Sequence, residues 1–233
     1  MMTSVRPGVS GRPPEFDASK VSHEHVVNEL ALLQLGDFEP LDIRIDTNML
    51  NHELKQFDND WTQYLPRTDR PNNRYGLTLT TYPGYTHRES PSLAEISVKQ
   101  NRRVSELECN SRTEVYDKCR SLHGFLNEFS PLGRSFFVRC DTGGHFVPHR
   151  DHPSMPRDVF RLIVFTKNCG TYDYDWLMDD KKMSIDEGTV YYVNTRRMHR
   201  TVSWVNGSTH LILNIPFTSS NVAKVISHLR HKH

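Results

Sequence analysis

Short apolar runs separated by polar turns fill the second half of the chain. The turns include Gly143-Gly144, Asp186-Glu187-Gly188 and Asn206-Gly207. Turns at such short intervals predict many short strands, a pattern typical of a barrel or jelly roll and not of an α/β sheet. The predicted strands cover residues 135–140, 159–166, 183–185, 189–193, 199–204 and 210–216.

The first half of the chain carries helical patterns around two further strands. Apolar residues recur there at helical spacing, and alternating apolar and polar stretches interrupt them. Asp46, Thr47 or Asn48 is placed to cap the second helix. The whole pattern predicts a mainly β fold with flanking helices, of the α+β class. The predicted helices cover residues 24–35, the stretch from this cap to Trp61, and residues 113–129; the predicted strands cover residues 41–45 and 75–82.

Length and composition favour one folded domain after a polar arm. Residues 1–20 are rich in Pro, Gly, Ser and Arg and contain few apolar residues, so we expect a flexible N-terminal arm. Residues 21–233 are long enough to bury one core, and β-rich domains of this size are often single.

Charge and hydropathy disfavour several classes of partner. Lys and Arg total 29 against 28 Asp and Glu, and a net charge of +1 gives no reason to expect nucleic acid or an anionic membrane. No apolar run approaches the roughly 20 residues of a membrane-spanning helix, and the N-terminus lacks the apolar segment of a secretory signal. Cys109, Cys119, Cys140 and Cys169 form no close pair, which fits a reducing compartment. We therefore expect a cytoplasmic protein.

The segment His149-Arg150-Asp151, together with the more distant His199, is the strongest chemical signal. Residues two apart on a strand share a face, so His149 and Asp151 would point together while Arg150 points away. His199 opens a later predicted strand, which an antiparallel pairing could bring to the same point. Two imidazoles and one carboxylate can occupy one face of an iron(II) ion and leave the other face open. The alternative is a chance surface pair, since the chain contains 13 histidines.

Arg161 lies within a strongly apolar predicted strand. Alternation places it on the same face as Val159, Ile163 and Phe165, and a guanidinium among such neighbours needs an anionic partner. Its planar fork matches a carboxylate in bidentate fashion. That partner is either an Asp or Glu of the protein or the carboxylate of a ligand. The nearby candidate metal ligands favour the ligand carboxylate.

A polar and aromatic stretch over residues 58–91 is a second candidate region. It contains Arg67, Arg70 and Arg74 among several tyrosines. These side chains could bind the carboxylate and the body of an amino acid or peptide, as long loops on compact domains often do. A solvent-exposed loop with a few packed aromatic rings explains the composition equally well.

A family resemblance rests on two stretches of the chain. They are GGHFVPHRDHPSMPRDVFRLIVFTKN and DEGTVYYVNTRRMHRTVSWVNGSTHLILNIPF, within residues 135–217. Together they resemble the iron(II)- and 2-oxoglutarate-dependent dioxygenases, and they are most similar to the aspartyl/asparaginyl β-hydroxylase-like branch, which includes free-proline hydroxylases. The combined motif is specific, whereas either half alone would be weak.

The resemblance implies a double-stranded β-helix, a cupin-like jelly roll with its core over residues 135–217. It implies Fe(II) held by His149, Asp151 and His199, and 2-oxoglutarate gripped by Arg161. Enzymes of this kind consume O2, hydroxylate a C–H bond and release succinate and CO2, with ascorbate as a candidate accessory reductant. This branch acts on an amino acid, either free or within a peptide. Related enzymes often carry a co-substrate-binding arginine shortly after the distal histidine, and here His210 is the candidate at that place.

Two other functions stay open. A non-catalytic, cupin-like module that binds a metal or a small molecule would share the fold and the three ligands, and the exchange at His210 favours it. A nucleobase oxygenase would use the same iron chemistry, but the near-neutral charge without a basic stripe disfavours it.

Overall fold

Two antiparallel sheets and the helices packed against them make up the part of the chain that the structure describes. The structure is a computed structural model and describes residues 21–64, 72–151 and 157–229. The predicted arm at residues 1–20 lies outside these ranges. The strands are β1 Phe38–Arg44, β2 Thr62–Gln63, β3 Arg74–Thr81, β4 Ser111–Arg112, β5 Ser135–Cys140, β6 His145–His149, β7 Val159–Lys167, β8 Tyr174–Met178, β9 Lys181–Lys182, β10 Thr189–Val193, β11 His199–Ser203 and β12 Ser208–Pro216. The helices are α1 His23–Leu35, α2 Thr47–Leu54, α3 Leu93–Lys99, α4 Glu114–Lys118, α5 His123–Glu128 and α6 Ser219–Ser227.

Polar side chains fix where four of these helices begin. Ser22 caps α1, Asp46 caps α2, Ser92 caps α3 and Thr218 caps α6, and each accepts a hydrogen bond from a backbone N–H of the first turn. Such caps satisfy donors that the helix itself leaves open. The predicted cap before the second helix is therefore Asp46, but α2 ends at Leu54 and passes into a 3-10 turn instead of reaching Trp61.

The larger sheet carries eight strands and the smaller sheet four. The larger runs β1-β10-β7-β12-β5-β3-β2, with β4 also paired to β3, and the smaller runs β6-β11-β8-β9. The two sheets face each other across aromatic and aliphatic side chains that include Phe136, Ile163, Phe165, Trp176 and Tyr191. This antiparallel sandwich is the jelly-roll architecture that the strand pattern predicts.

Two buried layers flank the larger sheet. We call the layer between this sheet and the helices the outer layer; Leu162, Val164 and Leu211 belong to it. The layer between the two sheets is the inner layer, to which Ile163 and Ile212 belong. Successive residues of β7 and β12 alternate between the layers because strand side chains alternate between faces.

The predicted helix over residues 113–129 is wrong as one unit. The backbone leaves the helical region at Cys119, and α4 and α5 are separated by a 3-10 turn. The break lets Tyr116 and Leu126, on either side of it, both reach the outer layer. Tertiary packing of this kind decides between helical arrangements that local periodicity leaves open.

The strand predicted over residues 183–185 is also wrong. The hairpin of β8 and β9 ends at Lys182, and the backbone N–H of Met183 makes one further hydrogen bond, to the Trp176 carbonyl, at 2.8 Å. The apolar alternation arises because Met183 and Ile185 both pack against the inner layer. Neither β8 nor α3 is predicted from the sequence.

Helix α1 lies where its periodicity predicts, but most of its predicted apolar stripe faces outward. Val26, Leu30 and Leu33 are exposed, whereas Asn28, Glu29 and Leu32 are buried. The buried polar residues of α1 therefore need partners, and those of Glu29 lie beside the candidate site. Within the described residues, no helix combines the length and apolar content needed to cross a membrane.

Candidate metal centre

The structure brings His149, Asp151 and His199 together at one end of the sandwich. His149 is the last residue of β6 and His199 the first of β11, and the two are directly paired in register. One ligand atom from each of the three residues lies within 4.8 Å of the others. The carboxylate of Asp151 is 3.7 Å from Nε2 of His149 and 3.5 Å from Nε2 of His199.

Asp151 reaches this position from beyond the strand and not from within it. Strand β6 ends at His149, and the backbone N–H of Asp151 donates to the carbonyl of Thr195 at 2.8 Å. The expected sharing of one strand face is therefore replaced by a tie to the turn before His199. The three residues are still grouped together. A backbone hydrogen bond joins the two segments that carry the candidate ligands.

Both imidazoles present Nε2 toward the centre of the group. Nδ1 of His149 lies 2.7 Å from the Val147 carbonyl oxygen, and Nδ1 of His199 lies 3.0 Å from that of Arg197. A carbonyl only accepts, so Nδ1 carries the proton and Nε2 keeps its lone pair. Backbone contacts of this kind commonly fix the tautomer and orientation of metal-binding histidines.

Local electrostatics favour the protonation states that bind metal. Burial lowers the pKa of His149, and the neighbouring His199 lowers it further. Burial acts to raise the pKa of Asp151, but the Arg161 guanidinium and the two imidazoles hold it well below its usual range. A neutral imidazole and an ionised carboxylate are the ligand forms that a metal ion requires. Two nitrogens and one oxygen on one side of a site suit iron(II) with open positions.

Arg161 contacts the candidate ligand carboxylate itself. Its guanidinium donates to Asp151, and its Nε donates to the side-chain oxygen of Asn214 at 3.1 Å. Of the two partners considered from the sequence, the structure shows the protein carboxylate. Arg161 thus lies next to the three candidate ligands, through its contact with Asp151. Its role in binding a co-substrate stays a prediction.

His210 lies deeper in the inner layer, away from the three candidate ligands. It is fully enclosed by the rings of Phe165, Tyr174 and Trp176, with ring centroids 5.6 to 6.1 Å away. Burial lowers its pKa to about 3, so the imidazole is neutral at ordinary pH. A neutral His210 can donate one hydrogen bond to a carboxylate, but it cannot supply the charge of an arginine.

Trp176 lies between His210 and the candidate ligand His199. Its indole stacks on His199, with an interplanar angle of 3° and centroids 5.6 Å apart. Within the described residues, neither Nε1 of Trp176 nor Nδ1 of His210 has a hydrogen-bond partner. Buried polar atoms are nearly always satisfied in folded proteins. Two orphaned atoms in the inner layer fit a polar ligand such as a carboxylate.

Buried charges from α1 hold the segments that flank the candidate ligands. Glu29 contacts Nε of Arg157 at 2.8 Å and NH1 of Arg196 at 2.7 Å. Arg157 follows the Asp151 segment, and Arg196 precedes His199. The inward polar face of α1 is therefore occupied by an ion-pair cluster that joins both segments.

Asn194 adds a second tie to the same turn. Its side-chain oxygen accepts from the backbone N–H of Arg196, as expected for a turn-forming asparagine, and its side-chain amide donates to Asp37 at 2.8 Å. The backbone N–H of Asn194 also donates to the Asp37 carbonyl. The turn before His199 is thus anchored to the start of β1.

The three arginines of the stretch over residues 58–91 lie partly within the described residues. Arg74 is buried, with its guanidinium 4.4 Å above the ring of Phe146. Arg67 and Arg70 lie outside the described residues. His145, the first residue of β6, is exposed, and its Nδ1 contacts the Gly143 carbonyl.

Trp176 is a neighbour of the site that the sequence does not predict. Its strand, β8, pairs with β11 from a distant part of the chain, and Trp176 lies opposite Thr201 in that pairing. A tryptophan in a short polar stretch carries no local signal of such a neighbour. Only the pairing of β8 with β11 places its indole on His199.

Comparisons with known proteins give similarity at the level of solved structures. No protein-family model and no curated protein matches this chain. A Trichoplax adhaerens prolyl hydroxylase, solved with a hypoxia inducible factor peptide fragment, overlaps with a TM-score of 0.46 at 10% identity, covering 86% of this chain and 93% of its own. A Pseudomonas putida prolyl-4-hydroxylase gives 0.44 at 11% identity, over 82% and 97%. A 2OG-Fe(II) oxygenase family protein from Burkholderia pseudomallei gives 0.40 at 13% identity, over 71% and 78%. At these values the overlaps establish neither family membership nor activity.

Proposed function

We propose that this protein is an Fe(II)- and 2-oxoglutarate-dependent dioxygenase that hydroxylates a C–H bond of an amino acid or amino-acid residue. The observation that carries the proposal is the grouping of His149, Asp151 and His199, with Nε2 of both imidazoles directed at one point. The substrate class, aspartyl/asparaginyl or prolyl, follows from the sequence resemblance alone. Four buried free cysteines support a reducing compartment such as the cytoplasm.

Different residues of this chain would bind the metal and position its ligands. His149, Asp151 and His199 would hold the metal, and Arg161 keeps Asp151 ionised and oriented through its contact with Asn214. Bound iron(II) would supply the position at which O2 and 2-oxoglutarate meet, so that decarboxylation of the co-substrate is coupled to oxidation of the C–H bond.

The inner layer would bind the co-substrate. Trp176 covers one face of His199 and excludes water from that side of the ligand. The unsatisfied Nε1 of Trp176 is available as a hydrogen-bond donor to a carboxylate, and so is Nδ1 of His210 in the tautomer that carries its proton there. Each donor becomes satisfied only when an acceptor enters the inner layer.

A non-catalytic metal- or small-molecule-binding module is the second candidate. The neutral, enclosed His210 favours it, because a site without a charged anchor at this place holds a dicarboxylate less firmly. Such a module would bind metal through the same three ligands without turning over 2-oxoglutarate.

Succinate release separates the two candidates. The protein is supplied with Fe(II), ascorbate and 2-oxoglutarate, together with free amino acids, peptides or oligonucleotides in separate reactions. We expect succinate from the unaltered protein and from His145→Ala, a matched loss of an exposed histidine on the same strand. His149→Ala should lower succinate by more than a hundredfold, because a metal ligand is lost. Succinate no higher than that of His149→Ala under every condition would overturn the catalytic proposal.

A further inference from the structure

A cleft of about 320 Å³ lies beside the end of α2, on the face of the larger sheet that carries the outer layer. The candidate metal ligands lie on the other side of this sheet, beyond the inner layer. The side-chain amide of Asn51 donates to the Thr166 carbonyl at 2.9 Å and so holds α2 against β7 at one wall of the cleft. A cleft of this volume can hold a small metabolite.

Strand register places two cations of the cleft in one row across the sheet. Arg139 of β5 pairs with Thr209 of β12, and Thr209 pairs in turn with Lys167 of β7. Directly paired residues share a face of the sheet, and Phe137, two residues before Arg139, belongs to the outer layer. Two strand spacings, about 10 Å, separate the backbones of the two cations, and the small Thr209 lines the cleft between them.

Aromatic rings, and not an acid, hold the Arg139 guanidinium in place. Its Cζ lies 4.7 Å from the centroid of the Trp61 ring and 5.1 Å from that of Tyr75. Within the described residues no acidic side chain forms an ion pair with it, and its buried Nε has no hydrogen-bond partner. Arg134, which also stacks on a ring, instead pairs with Glu106. Because Arg139 lines the cleft, the edge of its guanidinium can bind an anion that enters there.

The other charged residues of the cleft suit a ligand with an anionic end and hydroxyl groups. Lys55 follows the last residue of α2, and Lys167 ends β7, so with Arg139 the three cations come from three separate elements. A guanidinium fork matches the oxygens of a phosphate group, and ammonium groups add charge and further donors. Asp58 and Asp141 also line the cleft, and carboxylates accept hydrogen bonds from hydroxyl groups.

We propose that this cleft is a second binding site, separate from the metal centre, and that its ligand is a small phosphorylated polyol or sugar. Arg139 and the two lysines bind the phosphate group, while the two carboxylates accept hydrogen bonds from the hydroxyl groups. Since the larger sheet lies between the cleft and the metal ligands, binding requires neither a metal ion nor 2-oxoglutarate.

Calorimetric titration without added metal tests this proposal, with glycerol 3-phosphate, inorganic phosphate and glycerol as separate probes. We expect glycerol 3-phosphate to bind more tightly than inorganic phosphate, because its hydroxyl groups add contacts, and glycerol to give no measurable binding. Arg139→Gln should weaken glycerol 3-phosphate binding on the order of tenfold or more, because the guanidinium fork is lost. Asp58→Ala should narrow the difference between the two phosphates, since it removes an acceptor for the hydroxyl groups.

Arg112→Gln is the matched control. Arg112 also lies over a ring, 4.3 Å from the centroid of Tyr116, but it does not line the cleft, so its loss should leave the affinity unchanged. No binding of glycerol 3-phosphate to the unaltered protein, or equal affinity in Arg139→Gln and Arg112→Gln, would overturn the site. Inorganic phosphate bound as tightly as glycerol 3-phosphate would overturn the proposed ligand. Should Arg139→Gln not fold, unchanged affinity in Lys167→Gln, a change at an exposed side chain, would still overturn the proposal.

Discussion

The two buried layers of the larger sheet differ in what they contain. The outer layer is built from aliphatic and aromatic side chains of the sheet and of the helices that cover it. The inner layer also contains His210 and Trp176, each with a buried polar atom that no described residue satisfies. The same strands build both layers, so the difference lies in alternate residues of one sequence. The outer layer contains such an atom as well, Oη of Tyr192, but in the inner layer Nε1 of Trp176 belongs to the ring that stacks on the candidate ligand His199.

Neighbouring residues of β12 give the most direct test of this difference. Leu211 is fully buried in the outer layer, and Ile212 is 7% exposed in the inner layer. Leu211→Ala should cost about 3 kcal/mol of unfolding free energy, because a close-packed hydrocarbon layer relaxes little around a cavity. Ile212→Ala should cost about 2 kcal/mol, near the lower end for such changes, because water can enter beside the polar atoms.

Chemical denaturation measures both losses, and titration with 2-oxoglutarate in the presence of Mn(II) measures binding. Leu211→Ala should keep its co-substrate affinity once folded, whereas Ile212→Ala should weaken it. Equal destabilisation with unchanged affinity in both variants would show that the two layers do not differ in function.

Much of the sheet and of the candidate ligand set could be predicted from local sequence. Strands β5 and β10 have the predicted bounds, since apolar runs bounded by turn residues define them. The grouping of His149 with His199 was also inferred, because both end or begin strands that an antiparallel pairing can join. These features depend on short-range patterns and on a single pairing.

The surroundings of the site could not be predicted in the same way. Trp176 comes to lie on His199 through the pairing of β8 with β11, two strands that are not consecutive in the chain. Helix α1 shows the same limit, because its periodicity predicts the helix but Glu29 decides which face turns inward. Glu29 forms ion pairs with Arg157 and Arg196 on the buried side, where Leu32 also packs, while Val26, Leu30 and Leu33 stay exposed.

Burial of the His210 imidazole makes the free energy of unfolding depend on pH. The pKa of His210 falls from 6.5 to about 3 on folding, so the unfolded chain binds a proton more tightly. The metal-free protein should therefore lose stability as pH falls from 6.5 toward 3, by about 1.4 kcal/mol for each pH unit from this group. At pH 5 the loss is about 2 kcal/mol.

Unfolding free energies measured from pH 7 to pH 4.5 would isolate this contribution. His210→Asn removes the titrating group, so its stability should decline less steeply than that of the unaltered protein. Tyr174, the other titratable group that faces the imidazole, stays neutral across this range because burial raises its pKa. Leu211→Ala, in the outer layer, should lower stability by the same amount at every pH. Parallel pH curves for His210→Asn and the unaltered protein would contradict the assignment.

The smallest expected effect concerns the turn before His199, which belongs to neither the outer nor the inner layer. Asp37 accepts a hydrogen bond from the Asn194 side chain at 2.8 Å and is 44% exposed. Asp37→Ala should weaken Mn(II) binding by about threefold to tenfold, because the turn that presents His199 loses one anchor while the ligands remain. Asp42→Ala removes an exposed carboxylate from β1 without touching this turn and should leave the affinity unchanged. Similar affinities in the two variants would mean that packing in the inner layer, above all Trp176 against His199, is enough to hold the metal centre in place.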